Sequence, residues 1–223
     1  MSATLITLGV LALLVGVAVL VVDTRRRSLR TRTRRDWAGH HAARYAAADP
    51  VLTGQWRYGV FSRGGAGRAL DLVSGEPDGT RLYLFDLEQA HAVVCTVLAL
   101  RRPTMSETAL ELRMGSSVAA TGAEATQPVE ARPVSEAGMD LLGHVGGRFA
   151  FTNDLESARR AVDQRLVSLA DTAGDDISVL WAEGAWVLAA VHATAGPQRW
   201  EEVAALLVRF ADLVRLLPPA QHG

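Results

Sequence analysis

The side chains able to do chemistry in this 223-residue chain are few in kind. There is one cysteine, Cys95, and six scattered histidines, at positions 40, 41, 91, 144, 192 and 222. All 23 basic residues are arginine. With no lysine, a P-loop lysine, a Schiff-base lysine and an S-x-x-K nucleophile are each excluded. The glycine-rich stretch Phe61–Arg68 (FSRGGAGR) has neither G-x-G-x-x-G nor P-loop spacing and reads as a loop. Gly115-Ser116-Ser117 lacks the closing glycine of a nucleophile elbow, and no H-E-x-x-H or C-x-x-C occurs. His40 and His41 are adjacent in a helical stretch, so their side chains point to different sides rather than to one metal ion. Asp175-Asp176 precedes a strand, and Glu201-Glu202 opens a helix, where the macrodipole favours acids. Cys95 sits inside the apolar run Ala92–Leu100 with no neighbouring base and reads as a small buried hydrophobe. These residues offer no catalytic, metal or cofactor-binding set, and the chain reads as a non-enzyme without a cofactor.

The formal net charge of −1 is a cancellation. Residues 1–22 carry no ionisable side chain. Residues 23–35 hold seven arginines against one aspartate, so the first 35 residues sum to +6 and the remainder, with 16 arginines and 23 acids, to −7. Leu5–Val22 is 18 residues of Leu, Val, Ile, Ala and Gly with one Thr, close to the roughly 20 apolar residues of a spanning helix. No basic residue precedes it and no small-residue cleavage site follows, so a retained anchor over 1–23 is expected rather than a signal peptide. Arg25, Arg26, Arg27, Arg30, Arg32, Arg34 and Arg35 form a basic juxtamembrane collar, and the positive-inside rule then places the rest of the chain in the cytoplasm. The collar is a topology signal, and its arginines are also membrane-surface residues for anionic lipid headgroups. Nucleic acid is an unsuitable partner, because the adjoining acidic domain repels phosphates.

The alanine-rich Asp36–Ala48 is expected to continue the anchor helix up to Asp49-Pro50, so residues 24–48 read as collar and helix and 49–223 as one cytoplasmic domain. Ala69–Ser74 and Thr80–Leu87 flank the turn residues 75–79, the signature of a hairpin. His91–Arg101 reads as a strand covered on both faces. Thr108–Met114 alternates, with Leu110, Leu112 and Met114 inward and Glu111 and Arg113 outward. Gly115–Ala131 reads as a flexible connection, Pro133–Leu142 as a short helix and Arg148–Phe151 as a strand. A capping box at Asn153–Glu156 starts a helix with the stripe Leu155, Ala158, Val162, Leu166, Leu169. Ile177–Trp181 and Ala185–Val191 flank Glu183-Gly184. If those two residues form a hairpin loop, Trp181 faces Trp186 across the strands, as core or as the wall of an apolar cleft. The last helix starts at Pro197 and buries Val203, Leu206, Leu207, Phe210, Leu213, Val214 and Leu217. Hairpins with helices at the ends predict an α+β fold with an antiparallel sheet and flanking helices.

Several short motifs carry a resemblance. They are Trp37…His41…Tyr45, Asp49…Leu52…Trp56, Phe61-x-Arg63-Gly64, Arg68-Ala69…Val73-x-Gly75, Phe85-Asp86, Arg148-Phe149-x-Phe151, Arg165-Leu166 and Trp181-x-Glu183-Gly184-x-Trp186-x-Leu188. Together with the apolar helix and basic collar, they resemble a family of actinobacterial single-pass membrane-anchored proteins, similar to the mycobacterial trehalose monomycolate transport factor. The resemblance implies a cytoplasmic α+β domain that serves a membrane complex through an integral-membrane protein partner, with no catalytic residues to carry over. The expected function is a membrane-tethered, non-enzymatic accessory or scaffold protein of a cell-envelope complex, lipid transport being one such setting. The alternative is a small-molecule or lipid-binding module with its apolar cleft on the sheet.

Overall fold

The computed structural model describes residues 25, 28–62, 67–115 and 138–219. The expected anchor over 1–23, the loop 63–66 and the connection 116–131 lie outside them. Among the described residues no helix is long and apolar enough to cross a membrane.

A helix over 28–40 (α1) leads into strands β1 (Arg44–Asp49), β2 (Arg68–Gly75), β3 (Leu82–Gln89), β4 (Ala92–Met114), β5 (Asp140–Val145), β6 (Arg148–Thr152) and β7 (Ile177–Val191). Helices α2 (Leu155–Ala161) and α3 (Gln164–Thr172) lie between β6 and β7, and α4 (Pro197–Val214) follows β7. All strand pairs are antiparallel, in the order β1-β2-β3-β4-β6-β5, with β7 on β4. The expected α+β architecture with an antiparallel sheet and flanking helices is present.

The sheet is covered on both faces, which is why the 23-residue β4 alternates between two cores. Leu98, Leu100, Leu110 and Leu112 pack under the helices with Leu166, Val203, Leu207 and Phe210. Val97 and Ala99 face the other way, against Trp56, Phe61, Phe85 and Trp181 beneath the short 3₁₀ turns Leu52–Gln55 and Gly59–Phe61. The expected face of α4, Val203, Leu206, Leu207, Phe210, Leu213 and Val214, is buried, as is Leu217 just beyond the helix.

Four expectations need correction. The helix ends at residue 40, not before Asp49, and Arg44–Asp49 is the edge strand β1. Ala42 takes φ 50° at the reversal, and pairing with β2 overrides the helix propensity of the alanines. His91–Arg101 and Thr108–Met114 are one strand, and so are Ile177–Trp181 and Ala185–Val191. Glu183-Gly184 is therefore an irregularity inside the continuous β7, opposite a long bulge in β4, not a hairpin loop. There β4 uses nine residue steps, Arg101 to Leu110, against four in β7, Trp186 to Ala182. Gly184 has φ 55°, and the shift in parity returns Trp186 to the same face as Trp181. Buried Arg102 closes the bulge, donating from Nε and Nη2 to the Gly184 carbonyl and from Nη1 to that of Val214. Third, Asp140–Val145 is a strand where a short helix through Leu142 was expected. Fourth, the single helix expected after Asn153 is two, because Asp154 caps α2 on Ser157 N and Asp163 caps α3 on Leu166 N.

Cys95 is 6% exposed, and burial, with Asp86 adding, pushes its thiol up to about 12. An alkylating reagent at pH 8 should modify it more than about a hundredfold faster in urea than in the native protein, because the thiolate is the nucleophile. Similar rates in the two states would show that the β4 core opens readily.

Candidate functional site: an arginine helix and the apolar cleft at its end

The helix α1 is attached to the sheet by one face. Thr31 Oγ1 donates to Asp71 Oδ1 at 3.0 Å, and Tyr45 of β1 donates its hydroxyl to the same oxygen at 2.5 Å. Asp71 stands at φ 47° in a bulge of β2, a backbone state that aspartate tolerates better than most residues. One turn along α1, Arg34 Nη2 donates to Asp86 Oδ1 at 2.5 Å and to Thr96 Oγ1 at 3.2 Å, while that hydroxyl donates to Asp86 at 2.6 Å. The Arg34 guanidinium lies 4.3 Å from the Trp200 ring centroid of α4. Its Nη1 has no acceptor among the described residues, and the negative face of the indole offsets that vacancy. Burial lowers the Arg34 pKa below the usual arginine value and Asp86 opposes the shift. Trp37 meets Trp200 edge-on at 6.0 Å and stacks on His41 at 4.1 Å.

This placement divides the collar. Arg25, Arg32 and Arg35 are exposed and Arg30 is half-buried, whereas Arg26 and Arg27 lie outside the described residues. Arg34 is 2% exposed, so its assignment to the membrane surface is corrected: it is the ion that fastens the helix to the sheet. Its position three residues before Trp37 and seven before His41, on the turn that also carries Ala38, was the available signal.

The C-terminal end of α1 forms one wall of a cleft of about 270 Å³. Trp37 and His41 contribute from the helix and its end, Val73 and Leu82 from the sheet, and Glu201 and Ala204 from α4. His41 Nε2 stands 3.7 Å from Glu201 Oε1. Trp181 and Trp186, expected as cleft or core aromatics, do not line it. Trp181 is fully buried, edge-on to Phe61 at 6.0 Å, and Trp186 is half-buried, stacked on Tyr83 at 5.2 Å.

On the opposite face, Glu111 and Arg113 are 1% and 5% exposed rather than outward. The correction follows from the cover supplied by residues 57–62. Glu183 accepts from the backbone N–H of Arg57 at 2.7 Å and of Tyr58 at 3.2 Å, and Glu111 from that of Gly59 at 2.5 Å. Arg113 Nε donates to Glu111 at 2.5 Å. Burial raises the Glu183 pKa, with the two backbone N–H groups pulling the other way. Three successive amides held by two carboxylates make a structural latch, with its oxygens already engaged. Among the described residues no group of three His, Cys, Asp or Glu side chains could hold a metal ion.

Comparison with known proteins connects this arrangement to a family. The family model described as trehalose monomycolate transport factor TtfA matches residues 1–223. The chain is 34% identical over 211 residues to trehalose monomycolate transport factor A of Mycolicibacterium smegmatis, covering 94% of this chain and 69% of that protein. The crystal structure of the mycobacterial trehalose monomycolate transport factor A superposes with a TM-score of 0.72 at 32% identity, over 86% of this chain and 98% of that one. The sheet with its flanking helices is thus a fold shared with that protein, and the chain belongs to the trehalose monomycolate transport factor TtfA family.

Proposed function

We propose that this protein is a membrane-tethered, non-enzymatic accessory factor of a cell-envelope lipid-transport complex, acting on an integral-membrane protein partner. The anchor is the apolar segment over 1–23, the basic collar follows it, its helix α1 ends at residue 40, and the domain whose sheet begins with β1 at Arg44 lies in the cytoplasm. Membership of a transport-factor family supports the setting. The observation that carries the tether is the attachment of α1: Arg34–Asp86 and Thr31–Asp71 fasten the helix that follows the apolar segment onto the sheet. Held this way, α1 is fixed to the sheet from Thr31 onward, as a scaffold requires and a flexible leash does not supply. The exposed Arg25, Arg32 and Arg35, with Arg26 and Arg27, set the topology and meet anionic headgroups.

Two measurements test this reading. A reporter fused after Gly223 should be active only in the cytoplasm, and activity on the other side overturns the orientation. Purification of the full chain in mild detergents should recover a stoichiometric integral-membrane protein; repeated recovery of the chain alone argues against an accessory role.

A further inference from the structure

We propose that the groove between α3 and α4 is the docking face for an acidic amphipathic helix of the integral-membrane partner. The inference rests on the accessory reading above and names the surface through which that role is exercised. The groove holds about 260 Å³, below the roughly 300–1,000 Å³ of a small-molecule pocket, so it suits side chains of a helix better than a whole ligand. Its α3 wall is one helical face, Arg165, Ser168, Leu169 and Thr172, and its α4 wall is another, from Arg209 to Leu213. Leu169 and Leu213 are its apolar lining and are nearly buried. Val208 and Leu216, one turn either side of Asp212, add exposed apolar surface at 52% and 56%.

Charge selects the occupant. Residues 36–223 carry a net −7, yet this groove sets two guanidiniums, Arg165 and Arg209, against one carboxylate, Asp212. Arg160 of α2 is taken by Glu156, and Arg199 of α4 by Asp176 and Glu202. Arg165 and Arg209 are exposed and have no acceptor among the described residues. Local helix stability does not account for Arg165. It is the second residue of α3, where the macrodipole disfavours a cation, and no acid accompanies it in the first turn. The Thr172 hydroxyl is already engaged, donating to the Ser168 carbonyl at 2.9 Å, so the charges are left to discriminate. Arg199 also donates to the Ala173 carbonyl just past α3, so the two helices run antiparallel and the two arginines sit toward opposite ends of the groove. A helix laid along it sets apolar side chains against Leu169, Leu213 and Leu216. Its carboxylates, about two turns apart, then meet Arg165 and Arg209 in charge-assisted hydrogen bonds. A basic helix would set cation against cation.

The test uses the full chain in phosphatidylcholine nanodiscs and two model helices of about 20 residues with a leucine stripe, one flanked by glutamates and one by lysines. Each carries a benzophenone in the stripe, and adducts are mapped by mass spectrometry after irradiation. The acidic helix should label α3 and α4 along the groove, and the basic helix should not. Arg165→Glu/Arg209→Glu, at two exposed positions, should cut that labelling at least about tenfold, because like charges then face each other, with the thermal midpoint unchanged. Should the double variant lower the midpoint, the contrast between the two helices on the wild-type chain decides. Adducts elsewhere, equal labelling by both helices, labelling lost when phosphatidylglycerol replaces phosphatidylcholine, or a double variant indistinguishable from wild type would each overturn the proposal. Co-purification of an integral-membrane protein is read without either helix, so failure of the accessory reading shows separately.

Discussion

Arg34→Ala is expected to destabilise the domain by about 3–5 kcal/mol, the cost of leaving one member of a buried ion pair alone. The side chains of Arg34 and Asp86 are 3% and 4% exposed, so solvent cannot replace the lost guanidinium at Asp86. After the substitution, the Thr96 hydroxyl is the remaining hydrogen-bond donor described at that carboxylate, and Trp200 loses the cation over its ring. The loss should be visible as a lower urea midpoint. The double variant Arg34→Ala/Asp86→Ala should recover part of it, because removing both charges eliminates the orphan. Additive losses in that cycle, or a single-variant cost under about 1 kcal/mol, would falsify the view that this pair fastens α1. The pair itself is not strong evidence of net stabilisation, since burying two charges costs about as much as their attraction returns. Its consequence is positional: one charged side chain can satisfy Asp86 only when the helix lies in one register.

Gly59→Ala should be comparably damaging, at about 3–5 kcal/mol, by a different route. Gly59 stands at φ 67°, and a Cβ there would lie 2.5 to 2.8 Å from three atoms of the Trp181 indole. Left-handed strain contributes about 1–2 kcal/mol, and overpacking a rigid ring adds about 1–3 kcal/mol. Relieving the clash also pulls the Gly59 amide off Glu111 and disturbs the latch over β4 and β7. Gly184→Ala is the control. Its φ is 55°, but nothing lies within 4 Å of the added carbon, so the strain of about 1–2 kcal/mol acts alone. Urea unfolding of the two variants separates the cases, and equal losses would mean that Trp181 moves aside easily.

Some of this architecture was legible because local chemistry alone specifies it. The hairpin of β2 and β3 follows from Gly75–Gly79 between two apolar runs. A helix start near residue 154 follows from the short polar side chains there, although the cap is Asp154 on Ser157 N rather than Asn153, whose oxygen accepts from Ala109 N–H instead. The buried face of α4 follows from a 3.6-residue period after Gly196-Pro197. The cleft had no such signal. Its walls come from positions near 37–43, 73–82 and 201–204, which only the packing of α4 and α1 against the sheet brings together.

The segregation of charge, the absence of lysine chemistry, the fold class and the family were all legible in the order of residues along the chain. Each depends on residue type or on short-range order, which do not change on folding. Tertiary structure decided which face of each element is covered. Alternation in Thr108–Met114 marks two faces, but only the segment 57–62 lying across β4 turns Glu111 and Arg113 into interior residues. The same holds for Arg34, one arginine among seven in composition. It is the fastening ion because Asp86, 52 residues away, lies within hydrogen-bond reach when α1 lies on the sheet. Whether a charge faces water or a partner is set by non-local contacts, and local periodicity carries no record of them.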